Sequence, residues 1–116
     1  MNKIQFGLRL RKLREQKNLT QAEFAEMIDM NFKSLSRIEV GYNYPSMETL
    51  QSIAKALNVS VGYLVAPEDA LDKAIYIEEI THQIQNMELY DIQSIFEFIQ
   101  FYNCRREAIL ADIKDK

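Results

Sequence analysis

At 116 residues, 47% of them hydrophobic and 27% charged, the chain has the make-up of one ordinary globular domain or a small domain with an appendage. Three Gly and two Pro favour helices over hairpins, no apolar run approaches the roughly 18–20 residues that span a bilayer, and one Cys with one His is poor stock for a disulfide or a transition-metal site. The net charge of −3 is unevenly spread, with nine Lys/Arg and six Asp/Glu in residues 1–66 but five and eleven in residues 67–116, so only the front half suits a polyanion.

In chain order, residues 5–17 read as a helix with Phe6, Leu10 and Leu13 on one face and Asn18 at its end. Ile4 and Leu8 face away from that stripe, which suggests contact with the C-terminal region or a second subunit. Thr20 and Glu23 form a capping-box pattern opening a second helix to about Ile28, with Phe24, Ala25 and Ile28 inward. Asp29-Met30-Asn31 interrupts, Asn31 caps a third helix over 32–40, and Gly41 closes it. After the loop Tyr42-Asn43-Tyr44-Pro45, Ser46 caps a fourth helix whose apolar positions are Met47, Leu50, Ile53, Ala54 and Leu57, and Asn58 stops it. Ser60 caps a short fifth helix, 61–65, before Pro67.

Beyond Pro67 the pattern changes. Ile77, Ile80, Ile84 and Met87 recur at 3-4-3 spacing, like a heptad seam. A break near 86–90 precedes a long helix over about 90–113. Its apolar residues, among them Ile92, Ile95, Phe96, Phe98, Ile99, Phe101 and Tyr102, cover well over half of the helical circumference. One antiparallel neighbour cannot cover so much, so residues 67–116 are read as a helical hairpin that dimerises, against the alternative of folding back on the first domain. The domain division expected is 1–66 and 67–116.

The string Leu19-Thr20-Gln21-Ala22-Glu23-Phe24-Ala25, with Ser36-Arg37-Ile38-Glu39-Val40-Gly41, Pro45-Ser46-Met47-Glu48-Thr49-Leu50 and Ile53-Ala54-Lys55-Ala56-Leu57-Asn58-Val59-Ser60, resembles the Cro/C1-type helix-turn-helix family of lambdoid phage repressors and xenobiotic-response-element regulators. The resemblance spans residues 6–65 and implies an all-α fold, a five-helix lambda-repressor-like domain whose third helix lies in the major groove. It further implies that Gln21 meets a backbone phosphate, aided by a helix N-terminus that favours anions. Asn31, Phe32, Lys33, Ser34 and Arg37 fall on the DNA-facing side of the recognition helix, and Arg14 and Glu39 match a structural salt bridge between helices one and three.

Three positions depart from the family pattern. Asp29 replaces a common turn glycine, and Asp is among the few residues that tolerate a left-handed conformation. Phe32 stands where relatives often carry glutamine, and it either presses on a thymine methyl or folds back as packing. Val40 stands where many have a phosphate-binding asparagine, so that contact is absent or falls to Tyr42, Asn43 or Tyr44. Lys33 is expected at a base edge; Arg37 suits base or phosphate.

No Ser/His/Asp order, Gly-rich phosphate loop, His pair or CxxC is present, and Glu78 and Glu79 read as a solvated acidic face. The expectation is therefore a cytoplasmic, sequence-specific transcriptional regulator rather than an enzyme. It needs no metal, cofactor or membrane and binds double-stranded DNA as a homodimeric repressor on a pseudo-palindrome. The competing reading is a protein-interaction module, such as an antitoxin or anti-activator, whose C-terminal hairpin binds another protein.

Overall fold

Side-chain caps punctuate the first half of the chain. In a computed structural model that describes residues 1–114, Asn2, Thr20, Asn31, Ser46 and Ser60 each accept a backbone N–H of the helix they open. These helices are α1 (Lys3–Gln16), α2 (Gln21–Met27), α3 (Phe32–Glu39), α4 (Met47–Leu57) and α5 (Val61–Val65). A 3-10 turn at Glu68–Ala70 leads to α6 (Lys73–Ile84), and α7 (Leu89–Lys114) follows. The described residues contain no strand, and no helix among them is long and apolar enough to cross a membrane.

The caps are reciprocal in two places. Asn2 and Gln5 exchange backbone-to-side-chain bonds at 3.1 and 2.8 Å, and Thr20 and Glu23 do so at 3.0 and 3.1 Å. The bonds donated by Thr20 hold the Glu23 carboxyl below the usual carboxylate range. Helix ends obey the same local chemistry: Asn18, Asp29 and Asn58 take left-handed φ values of 58°, 53° and 55°, which Asn and Asp tolerate. The first helix begins two residues earlier than its apolar stripe indicates, because Asn2 caps it. The third ends at Glu39, leaving Val40 exposed.

Phe6, Leu10, Phe24, Leu35, Ile53, Leu57 and Leu64 are fully buried and join the five helices in one core, with Leu13 only half-buried at its edge. By compactness the first unit runs through Gln83, past the 66/67 division expected from the sequence, because α6 is fastened to it by side chains. The second unit, from Ile84 onward, is essentially α7, none of whose residues is buried. Its apolar groups point to all sides, Leu89, Tyr90, Phe98 and Phe101 among the most exposed.

Gly7 sets the approach of α1 to α3. A Cβ there would lie 2.6 Å from the Ile38 carbonyl oxygen and closer still to that of Glu39. Alanine at an ordinary mid-helix glycine gains about 0.5–1 kcal/mol, but overpacking against rigid backbone costs about 1–3 kcal/mol. Gly7→Ala is therefore expected to lower stability in urea unfolding; a variant as stable as wild type would show that the α1–α3 contact has slack.

Candidate nucleic-acid interface

The surface around α3 rests on a buried ion pair. Arg14 Nε and Nη2 donate to Glu39 Oε2 and Oε1, both at 2.9 Å, in a bidentate fork. Arg14 Nη1 donates to the Leu19 carbonyl at 2.6 Å, and Gln21 Nε2 donates to Glu39 Oε1 at 3.2 Å. Both charged side chains are buried, and the bonds to Glu39 push the Arg14 guanidinium further above its usual range, against the opposing pull of desolvation. One network thus joins α1, the α1–α2 turn, the start of α2 and the end of α3. Gln21, expected at a phosphate, has its amide turned inward to Glu39. What it leaves for an anion is the start of α2.

Leu35, Ile38 and Glu39 form the inner side of α3. Phe32, Lys33, Ser34 and Arg37 lie exposed on the outer side. Phe32, at 51% exposure, does not fold back into the core. Asn31 is exposed but its Oδ1 caps the helix, accepting from the Lys33 N–H at 2.7 Å. Gly41 turns the chain with φ +92°, and a Cβ there would meet the Ile4 backbone at 2.9 Å, so this turn is closed to larger residues.

Tyr42 and Asn43 are exposed beyond the turn. Tyr44 differs from its expected role, since its hydroxyl donates to the Met1 carbonyl at 2.5 Å and its ring sits 6.3 Å from that of Phe6. It pins the loop to the start of α1. Lys3, which the sequence pattern does not single out, lies 6.0 Å over the Tyr44 ring. Together with Ser34, Asn43, Ser46 and Thr49 it lines a shallow groove beside α3.

Of the proposed dimer residues, Ile77, Ile80, Ile92, Phe96, Phe98, Ile99, Phe101 and Tyr102 are exposed, and Ile84 and Ile95 half-buried. Two buried charges escaped the sequence reading. Arg9, 7% exposed, donates through Nη1 to the carbonyls of Tyr63 (3.0 Å), Leu64 (3.4 Å) and Ala66, and through Nη2 to Glu68 at 3.0 Å. It falls three residues after Phe6 and four before Leu13, so the helical stripe that identifies the core passes through it. Glu79, 5% exposed, is not part of a solvated acidic face; Ser60 donates to it from its backbone and from Oγ, the latter at 2.7 Å.

The helix-turn-helix family model matches residues 10–64. Among curated proteins, the HTH-type transcriptional activator BcrR of Enterococcus faecalis is 35% identical over 71 residues, 61% of this chain and 35% of the relative. The HTH-type transcriptional regulator YazB of Bacillus subtilis, itself uncharacterised, is 36% identical over 63 residues, 54% of this chain and 91% of the relative. Among solved structures, the restriction-modification controller protein C.AhdI from Aeromonas hydrophila aligns with a TM-score of 0.51 and 30% identity, over 53% of this chain and 92% of that one. The chain spans between 35% and 55% of the length of the first curated relatives it matches.

Two substitutions separate scaffold from contact. Glu39→Ala leaves a buried guanidinium uncompensated and is expected to cost about 3–5 kcal/mol in urea unfolding, whereas an apolar replacement of both partners costs much less. Lys33→Ala should leave stability unchanged and weaken DNA binding by about 1–3 kcal/mol at one base position per half-site. A loss spread uniformly over all sequences in a mutated-operator series would make Lys33 a phosphate contact instead.

Proposed function

Since the chain belongs to the Cro/C1-type helix-turn-helix family, we propose that it is a sequence-specific DNA-binding transcriptional regulator that represses from a pseudo-palindromic operator as a homodimer. The observation that carries this is the division of α3. Its inner face is buried and tied to the scaffold through Glu39, while Phe32, Lys33, Ser34 and Arg37 stand outward on a single side. That is what a helix entering the major groove requires. Lys33 and Arg37 carry donors for guanine or phosphate, and Phe32 offers an apolar face to a thymine methyl. The start of α2 at Gln21, with Tyr42 beyond the turn and Asn43 and Lys3 lining the groove, supplies the flanking phosphate contacts. Occupying promoter DNA is sufficient for repression; activation needs a further surface for the transcription machinery.

The dimer is proposed to form through the seam of α6 and the apolar faces of α7. Charge along α7 favours a second copy in antiparallel register. Asp91 and Glu97 make its first half acidic, whereas Arg105, Arg106 and Lys114 outnumber Glu107 and Asp112 in its second, so a dyad near Phe98 would set Asp91 against the partner's Arg105. The same exposed faces also favour a second reading, an interaction module that binds a different protein. The relation between the two is testable by purification, since a second chain in stoichiometric amount would support the module.

Selection of bound duplexes from a random pool at physiological salt, where non-specific phosphate attraction is weakened, is expected to return an inverted repeat. Its half-site centres should lie roughly 34 Å apart, or a multiple of this, and sedimentation should give twice the chain mass. Recovery of unrelated sequences, or a monomer at the binding concentration, would overturn the repressor reading.

A further inference from the structure

The connection from α5 to α6 is seven residues, Ala66 to Asp72, and its ends are held by buried charges. At the near end, Arg9 of α1 gathers the carbonyls of Tyr63, Leu64 and Ala66 and the carboxylate of Glu68. The following 3-10 turn closes with Ala70 N–H donating to the Pro67 carbonyl at 2.9 Å. At the far end, both carboxylate oxygens of Glu79 accept from the Ser60 N–H, at 3.2 and 3.1 Å, and Oε2 also accepts from Ser60 Oγ. Gln83 Nε2 adds a bond to Oε1 at 3.3 Å. These donors are neutral, and the carboxylate sits where the first free N–H groups of α5 favour an anion. The rings of Tyr63 and Tyr76 meet edge-to-face at 6.2 Å.

The other side of α6 is bare. Ile77 and Ile80 are exposed, and at about 100° per residue they lie roughly 100–160° around the helix from Glu79. One side of α6 is therefore fastened to the domain that carries α3, and the opposite side holds the start of the apolar seam. The fastening runs without interruption from α3 through Glu39, Arg14, α1 and Arg9 to the α5–α6 connection.

We propose that Glu79 and Arg9 are positioning residues that make α6 a rigid extension of the DNA-binding unit and thereby fix the half-site spacing that the dimer accepts. The inference rests on the dimeric reading above. One base pair shifts a half-site by roughly 3.4 Å along the duplex and about 35° around it. A seam rigidly tied to α3 meets its copy across one such spacing only, whereas a seam on a swinging helix accommodates its neighbours.

The test uses the full chain and duplexes in which the selected half-site is repeated with the spacing altered by one or two base pairs. Wild type is expected to prefer one spacing by about tenfold or more over either neighbour. Glu79→Ala should remain dimeric and keep the amide-exchange protection of α1–α4. Its α6 amides should exchange about tenfold faster, and its discrimination between spacings should fall to about twofold. Glu79→Gln, whose amide oxygen still accepts from Ser60, should fall between. If Glu79→Ala does not fold, Ser60→Ala removes the shortest of the bonds, together with the α5 cap, and is expected to show a smaller loss of the same kind. Unchanged spacing discrimination in a folded, dimeric Glu79→Ala, or in Ser60→Ala, overturns the proposal, as does wild type binding all spacings equally. A wild-type chain that is monomeric or selects no repeat fails earlier and takes the dimeric reading with it.

Discussion

Everything that faces outward from α3 depends on one buried carboxylate, that of Glu39, and on the guanidinium that meets it. Helix α3 has eight residues, too few to be stable alone. Leu35 and Ile38 anchor it by burial, but apolar contacts permit a helix to roll and slide. The fork from Arg14 does not, since two parallel bonds at 2.9 Å define both distance and orientation. The additional bonds from Gln21 and to the Leu19 carbonyl use further donors, so neither charge is left underserved in a low-dielectric setting. Such a pair adds little net stability compared with an apolar one of equal shape. What it contributes is geometry.

The same logic repeats along α1. Arg9 and Arg14 both lie on its buried side and reach in different directions, Arg14 to α3 and Arg9 to the end of α5. Gly7, also on α1, lets the helix backbone come against the last turn of α3 where any side chain would hold it off. Helix α1 thus acts as a strut between the element that would meet DNA and the element that leads to the apolar seam. Because the polar anchors saturate their partners, loosening one leaves a buried group unsatisfied instead of merely thinning the packing.

Legibility in the sequence followed the range of the interaction. Caps and turns are local, so Thr20, Asn31, Ser46, Ser60 and the left-handed Asp29 could be read within three or four residues. Apolar periodicity is nearly as local, and it identified the core. Long-range polar contacts were legible only where a family resemblance carried them, as for Arg14 and Glu39. Glu79 lies nineteen residues from Ser60, and nothing adjacent to it distinguishes a buried carboxylate from a solvated one. The compact unit therefore runs past Pro67, since proline marks the end of a helix and not the end of what is fastened to it. The bond from the Tyr44 hydroxyl to the Met1 carbonyl, forty-three residues away, has no local signal either.

Constraint and freedom fall on different residues. Arg9, Arg14, Glu39, Gly7 and Gly41 each answer to several partners or to a backbone that leaves no room, so substitution there disturbs the frame. Phe32, Lys33, Ser34 and Arg37 are bound by no such requirement, because their side chains extend outward from a helix that others hold. A phenylalanine can therefore stand at the exposed position 32 without cost to the fold, and what it changes is the chemistry offered to a groove. In the proposed complex with DNA, the frame fixes where a sequence is read. The exposed face, free of the frame, determines which sequence it is.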